Sequence, residues 1–89
     1  MDKEWLISKI TVEEAEVKHM VIHEEFGFKP VPFGFSNDSW NNMLSVMKLG
    51  DELWEYSSPN HFWENLAGRE GIALVRNGEI VLDLLTRMN

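Results

Sequence analysis

The chain has no cysteine. Disulfide frameworks, thiolate zinc sites and cysteine nucleophiles are therefore excluded. It also has no long apolar run: uninterrupted stretches such as Ile72–Val75 fall far short of the roughly 20 residues that a membrane-crossing helix needs. The opening residues, MDKEWLISKITVEEAE, are acidic and carry no apolar stretch of the kind found in a secretory or mitochondrial presequence. A cytoplasmic location away from membranes is the expectation. Basic residues are scarce too, 8 against 15 acidic ones, for a net charge of −7. Phosphate backbones repel such a surface, which argues against nucleic acid as a partner. A basic protein partner would be attracted to it, although moderate negative charge also serves solubility alone.

At 89 residues the chain is expected to form a single domain, 1–89, burying roughly 60–65% of the surface its unfolded form exposes. Four Trp, five Phe and five Met supply bulky core material. No internal repeat or low-complexity segment interrupts it. The main punctuation is GFKPVPFGFSND, Gly27 to Asp38, where Pro30 and Pro32 forbid a helix interior. Phe26, Phe28, Phe33 and Phe35 make this stretch too apolar for a free linker, so it is expected to wrap over the core.

Local signals predict the elements. Thr11 with Glu14 is a capping box, and Val12, Ala15, His19, Ile22 and Phe26 follow helical spacing, predicting a helix from 12 to about 25 with a strand as the alternative. Trp40, Met43, Leu44 and Met47 form a second helical stripe, capped by Ser36, Asn37 or Asp38, with Gly50 past its end. Alternation in ELWEYSS from Glu52 predicts a strand, and Ser58-Pro59 reads as the cap and first residue of a short helix. Asn77-Gly78 between two apolar runs predicts a hairpin opposing Arg76 to Glu79, Val75 to Ile80, Leu74 to Val81 and Ala73 to Leu82. The order implies an α+β fold: two to three helices packed on a small, mainly antiparallel three-stranded sheet ending in that hairpin.

The segments PVPFGF, GDELWEYSSP, W.NLAGR.GIALVR.GEIV and T.MN resemble a family of small, uncharacterised bacterial proteins. The resemblance covers Phe28 to Asn89 and is most specific from Gly50 to Val81. It implies a bacterial origin and a stand-alone domain, and it brings no activity, ligand or catalytic residue.

No residue set has the pattern of a catalytic centre. His19 and His23 are four apart, a spacing by which a helix presents two imidazoles to one metal, but no third ligand is identifiable and His19 also falls on the apolar stripe. His61 lies near Ser57 and Ser58, yet Ser58 is already assigned to capping. Asp51, Glu52 and Glu55 form an acidic cluster without a secured pair, which reads as a solvated edge. Arg69, flanked by Gly68 and Gly71 in a chain poor in cations, has the fork that takes a carboxylate; the blander reading is an internal ion pair.

The reading is thus a non-enzymatic protein-binding module, such as an inhibitor, immunity protein or adaptor. Its partner is expected to be a protein, and a basic one suits the charge. Trp40, Trp54 and Arg69 are the candidate binding residues, and no cofactor is implied. Two alternatives stand beside it: a small-molecule-binding or enzymatic domain with a pocket under the Phe-rich loop 26–35, and a structural homodimer.

Overall fold

The computed structural model describes every residue, Met1–Asn89. Six strands, three helices and three 3-10 turns alternate along it. Strands β1 (Leu6–Ile10), β4 (Glu52–Ser57), β5 (Arg69–Arg76) and β6 (Glu79–Met88) form a sheet in the order β1-β4-β5-β6, every neighbouring pair antiparallel. Strands β2 (Met20–Val21) and β3 (Val31–Pro32) make a separate two-residue ribbon. The helices are α1 (Val12–Lys18), α2 (Asn37–Val46) and α3 (Asn60–Glu64). The α+β architecture is as expected, but the sheet has four strands rather than three. The additional strand comes from the first ten residues, which carry no clean alternation because Ile7 is an extra residue in the pairing of Leu6 with Tyr56 and Ser8 with Glu55.

The capping box forms as predicted: the Thr11 hydroxyl accepts from the Glu14 N–H and the Glu14 carboxylate accepts from the Thr11 N–H, both at 3.0 Å. The helix it starts stops at Lys18, not near Glu25. Beyond it the His19 carbonyl accepts the Phe33 N–H at 2.8 Å, and Met20 and Val21 pair with Pro32 and Val31. Non-local pairing with the proline-rich stretch outcompetes helix propagation, and Val17 and Ile22 are left exposed. The second helix follows its stripe, with Trp40 and Met43 buried. Gly50 serves a turn closed by the Asp51 N–H on the Lys48 carbonyl, and the helix itself ends at Val46 with Met47 as its C-cap. Ser58 does not cap α3: Pro59 occupies that position without a side-chain bond, and the Ser58 hydroxyl accepts the Arg69 N–H at 2.9 Å.

Asn77 and Gly78 have φ of 51° and 78°, the left-handed pair that a type I′ turn requires. Arg76 opposes Glu79 and Val75 opposes Ile80, but Val81 is then an extra residue, so Leu74 faces Leu82 and Ala73 faces Asp83. This bulge turns Leu82 and Leu84 to the side of Leu74 and Ile72. A second one at Thr86 separates the Gly71–Leu85 and Glu70–Arg87 pairs. All three bulges lie in the outermost strands, β1 and β6, where they disrupt a regular hydrogen-bonding edge.

The sheet is therefore two-faced. Ile10, Leu53, Ile72, Leu74 and Leu84 pack against Ala15, Phe33, Trp40 and Met43 from the helical layer. On the opposite face Tyr56, Ala73 and Val75 have no helical layer of this kind; the apolar side chains packed on them are those of Trp5, Leu6, Trp54 and Ile80. Extents of 38 × 36 × 17 Å fit one layer of helices on one sheet. A bidentate ion pair joins the layers at one edge. Arg76 donates to both Asp51 oxygens at 2.9 and 2.8 Å and to the Val46 carbonyl at 3.2 Å. It holds the Asp51 carboxyl down at about 2.

Gly71 is where the second face is tightest. A Cβ there would lie 2.0 Å from the Leu84 carbonyl oxygen and 2.8 Å from the Tyr56 hydroxyl. Because a backbone atom cannot yield as a side chain does, Gly71→Ala is expected to cost about 3 kcal/mol of stability, at the upper end of overpacking effects. Urea unfolding monitored by tryptophan fluorescence measures it; an unchanged midpoint would contradict this packing.

Candidate functional site

The sequence-derived candidates occupy different places. Trp40 is fully buried, and its ring is not part of the surface. It stacks on Phe33 at 4.5 Å and its indole N–H donates to Glu16 at 2.8 Å. Trp54 is half-buried on the helix-free face, with its N–H on Glu52 at 3.0 Å. Arg69 lies on the same face, its side chain exposed and in no ion pair with an acidic neighbour.

The two histidines share no helical face, because α1 ends before the first of them. His19 stacks on Phe33 at 4.7 Å, while His23 Nδ1 accepts the Glu25 N–H at 3.1 Å. No three His, Asp or Glu side chains are grouped so as to hold a metal. The serine hydroxyls near His61 have structural partners: Ser57 accepts from the Trp63 indole at 3.3 Å, and Ser58 accepts from Arg69. The acidic cluster separates into three ion pairs, Asp51 with Arg76, Glu52 with Lys9 and Glu55 with Lys18.

A cleft of about 320 Å³ opens beside the end of α1, lined by Lys18, His19, Val21, Phe33, Ser36 and Thr86 among others. Burial lowers the His19 pKa, and Lys18 lowers it further, while Glu55 and Glu70 act in the opposite direction. The neutral imidazole is thus the form that fits over Phe33.

The feature that composition and periodicity did not isolate is the outer surface of the loop after α1. Phe26 and Phe35 lie 4.9 Å apart, and His23 meets both edge-on at 6.2 and 5.5 Å. A groove of about 370 Å³ runs beside them, lined by Phe26, Val31, Phe35, Asn37 and Asp38. Phe35 is 69% exposed and Phe28 is 68% exposed. Phe28 and Phe33 have φ of 60° and 62°, a left-handed conformation that is rare for bulky side chains. For Phe33 the stack between His19 and Trp40 offsets the strain. Phe28 has no such burial. The sequence signal was there in the adjacent Gly-Phe at 27–28 and Phe-Gly at 33–34, but nothing in spacing says which phenylalanines turn outward.

No protein-family model matches the chain, nor does any curated protein or solved structure. No helix is long and apolar enough to cross a membrane.

The depressed His19 pKa fixes a pH dependence. The folded state binds a proton there less readily than the unfolded chain, so this contribution to stability is complete above pH 6.5 and is lost as pH falls through the lower folded value. His19→Phe keeps an aromatic ring on Phe33 and removes the titration. Its melting temperature is expected to fall less than the wild type's between neutral pH and pH 5, as read by circular dichroism; parallel profiles would refute the assignment.

Proposed function

We propose that the chain is a non-enzymatic protein-binding module, of the inhibitor, immunity-protein or adaptor kind, and that it docks an apolar, basic segment of its partner on the exposed side of the Phe-rich loop, through the Phe26/Phe35 groove and the outward-held ring of Phe28. The observation that carries this reading is Phe28: a large ring held outward, 68% exposed, by a backbone conformation that costs the free protein about 1–2 kcal/mol. Backbone hydrogen bonds hold this conformation, but no side-chain packing in the free chain offsets its strain, which fits a ring whose contact is made with something else. Exposed apolar surface rimmed by polar groups is the usual character of such a docking site.

The charge of the partner is inferred from the surroundings. Asp38 lines the groove, Glu24 and Glu25 directly precede Phe26 in sequence, Lys29 is the one cation in residues 24–38, and the whole chain carries −7. Apolar contact supplies affinity at the centre, while complementary charge speeds association and selects the partner. The bulged edges of β1 and β6 make strand-to-strand pairing of two copies a poorer use of this fold.

Phe28→Gly separates binding from folding. Glycine accepts the left-handed conformation, so the variant is expected to gain up to about 1 kcal/mol in stability. Partner binding is expected to weaken by about 2 kcal/mol or more, roughly 30-fold, as for loss of an interface anchor. The measurement is quantitative capture from the native source by tagged wild type, Phe28→Gly and Phe35→Ala at several salt concentrations, followed by titration of the partner recovered near stoichiometry. A partner held equally well by all three proteins would remove this surface from consideration. A stability loss in Phe28→Gly would show that the ring serves the fold instead.

A further inference from the structure

The helix-free face of the sheet carries a second feature, unrelated to the Phe28 surface. Tyr56 on β4 lies flat across β5, over the one position where that strand has no side chain, Gly71. Its hydroxyl reaches β6 and donates to Asp83 Oδ2 at 3.1 Å. The ring is only 2% exposed and forms the floor of a cavity of about 320 Å³ whose other lining residues are Met1, Trp5, Arg69 and Asp83. Burial and the neighbouring Asp83 charge both raise the Tyr56 pKa, in keeping with a phenol that donates its proton to Asp83 in a hydrogen bond.

The charges around this cavity are opposite and do not cancel each other. Ala73 pairs with Asp83, and Arg69 lies four residues from Ala73 on the same side of β5, about 13 Å of strand at ~3.3 Å per residue. No ion pair joins Arg69 to Asp83, or Arg69 to any other acid, although acids outnumber bases nearly two to one. Four of the eight cationic side chains, Lys3, Lys9, Lys18 and Arg76, do find acidic partners. Arg69 is left with its fork free at the edge of an aromatic hollow.

We propose that this cavity binds a small zwitterion of the α-amino-acid type. Arg69 takes its carboxylate, Asp83 takes its ammonium group through the oxygen not used by Tyr56, and the side chain rests between Trp5 and Met1. A phosphate or other multiply charged anion is disfavoured by Asp83, and a simple cation by Arg69. Only a ligand carrying both charges satisfies both ends. The volume lies at the small end of ligand sites, which run from about 300 to 1,000 Å³, and so suits a single amino acid or a dipeptide.

The test is titration of the full chain with L-phenylalanine and L-leucine, followed through the Trp5 indole and Arg69 guanidinium proton resonances. Each amino acid is compared with its C-terminal amide and its N-acetyl derivative. Saturable binding is expected for the free amino acids. It should weaken about tenfold or more in either derivative, since each lacks one charge-assisted contact, and equally in Arg69→Gln. Asp83→Asn still accepts the Tyr56 hydrogen bond, so it keeps the floor intact while removing the charge, and should weaken the free amino acids and not their N-acetyl derivatives. Absence of saturable binding at millimolar amino acid would overturn the proposal. So would undiminished binding to Arg69→Gln, and so would N-acetyl derivatives binding as tightly as the free amino acids, which would leave no role for Asp83 in taking an ammonium group. Phe28→Gly lies on other elements and should leave this titration unchanged, so this site and the docking surface are tested separately.

Discussion

Trp40 has one polar atom, and the middle of the core has one place to satisfy it. The indole N–H of α2 donates to Glu16 of α1 across 24 residues of chain, and the ring face is closed by Phe33. An unpaired N–H at that depth would cost about 1–3 kcal/mol, so the pairing constrains where α1 sits relative to α2. Phe33 has to enter the same stack from the intervening loop, between Trp40 and His19. The loop's path is thus tied to the core at its second half. What lies before Phe33, including Phe28, is tethered at one end by the His19–Phe33 backbone bond and projects from it.

That arrangement explains why two phenylalanines with nearly the same backbone strain have opposite environments. Phe33 at φ 62° is buried and stacked on both faces; Phe28 at φ 60° is exposed. The Phe33 conformation is over-determined by its neighbours. The Phe28 conformation is set by backbone bonds, its own N–H to the His23 carbonyl and the Lys29 N–H to the Phe26 carbonyl. A ring positioned by backbone geometry rather than side-chain packing is held in one place in the free chain, the kind of pre-ordering that lowers the cost of binding in general.

Local chemistry was legible and non-local pairing was not. The Thr11–Glu14 capping box, the α2 stripe and the Asn77-Gly78 turn depend on residues within one or two turns of each other, and all three form. The helix expected to run on to about Glu25 fails because its continuation pairs with Val31 and Pro32, ten or more residues away. Strand β1 was hidden by its own bulge, and the bulge at Val81 altered the facing of the hairpin beyond its first two pairs. Arg69 drew notice by its scarcity, but its place beside Tyr56 and Asp83 required the sheet order, which brings residues 27 positions apart into one hydrogen bond.

The single helical layer accounts for both candidate surfaces. With one sheet face given to α1, α2 and Phe33, the chain has only the turn Lys3–Trp5 and the edge of α3 for the other, where Trp5 meets Phe62 at 5.3 Å. Helices covering that face completely would have filled the hollow over Tyr56. A chain of this length, having committed its bulk to one side, leaves the second face to individual large side chains, and spaces between individual side chains are where small polar ligands fit. The same economy puts the Phe-rich loop at the margin of the helical layer, where its outer rings have no second layer to enter. Two uncovered surfaces, one on the helix-free face and one at the loop, are thus a geometric consequence of laying α1, α2 and a loop pinned by a buried tryptophan on one side of a four-stranded sheet.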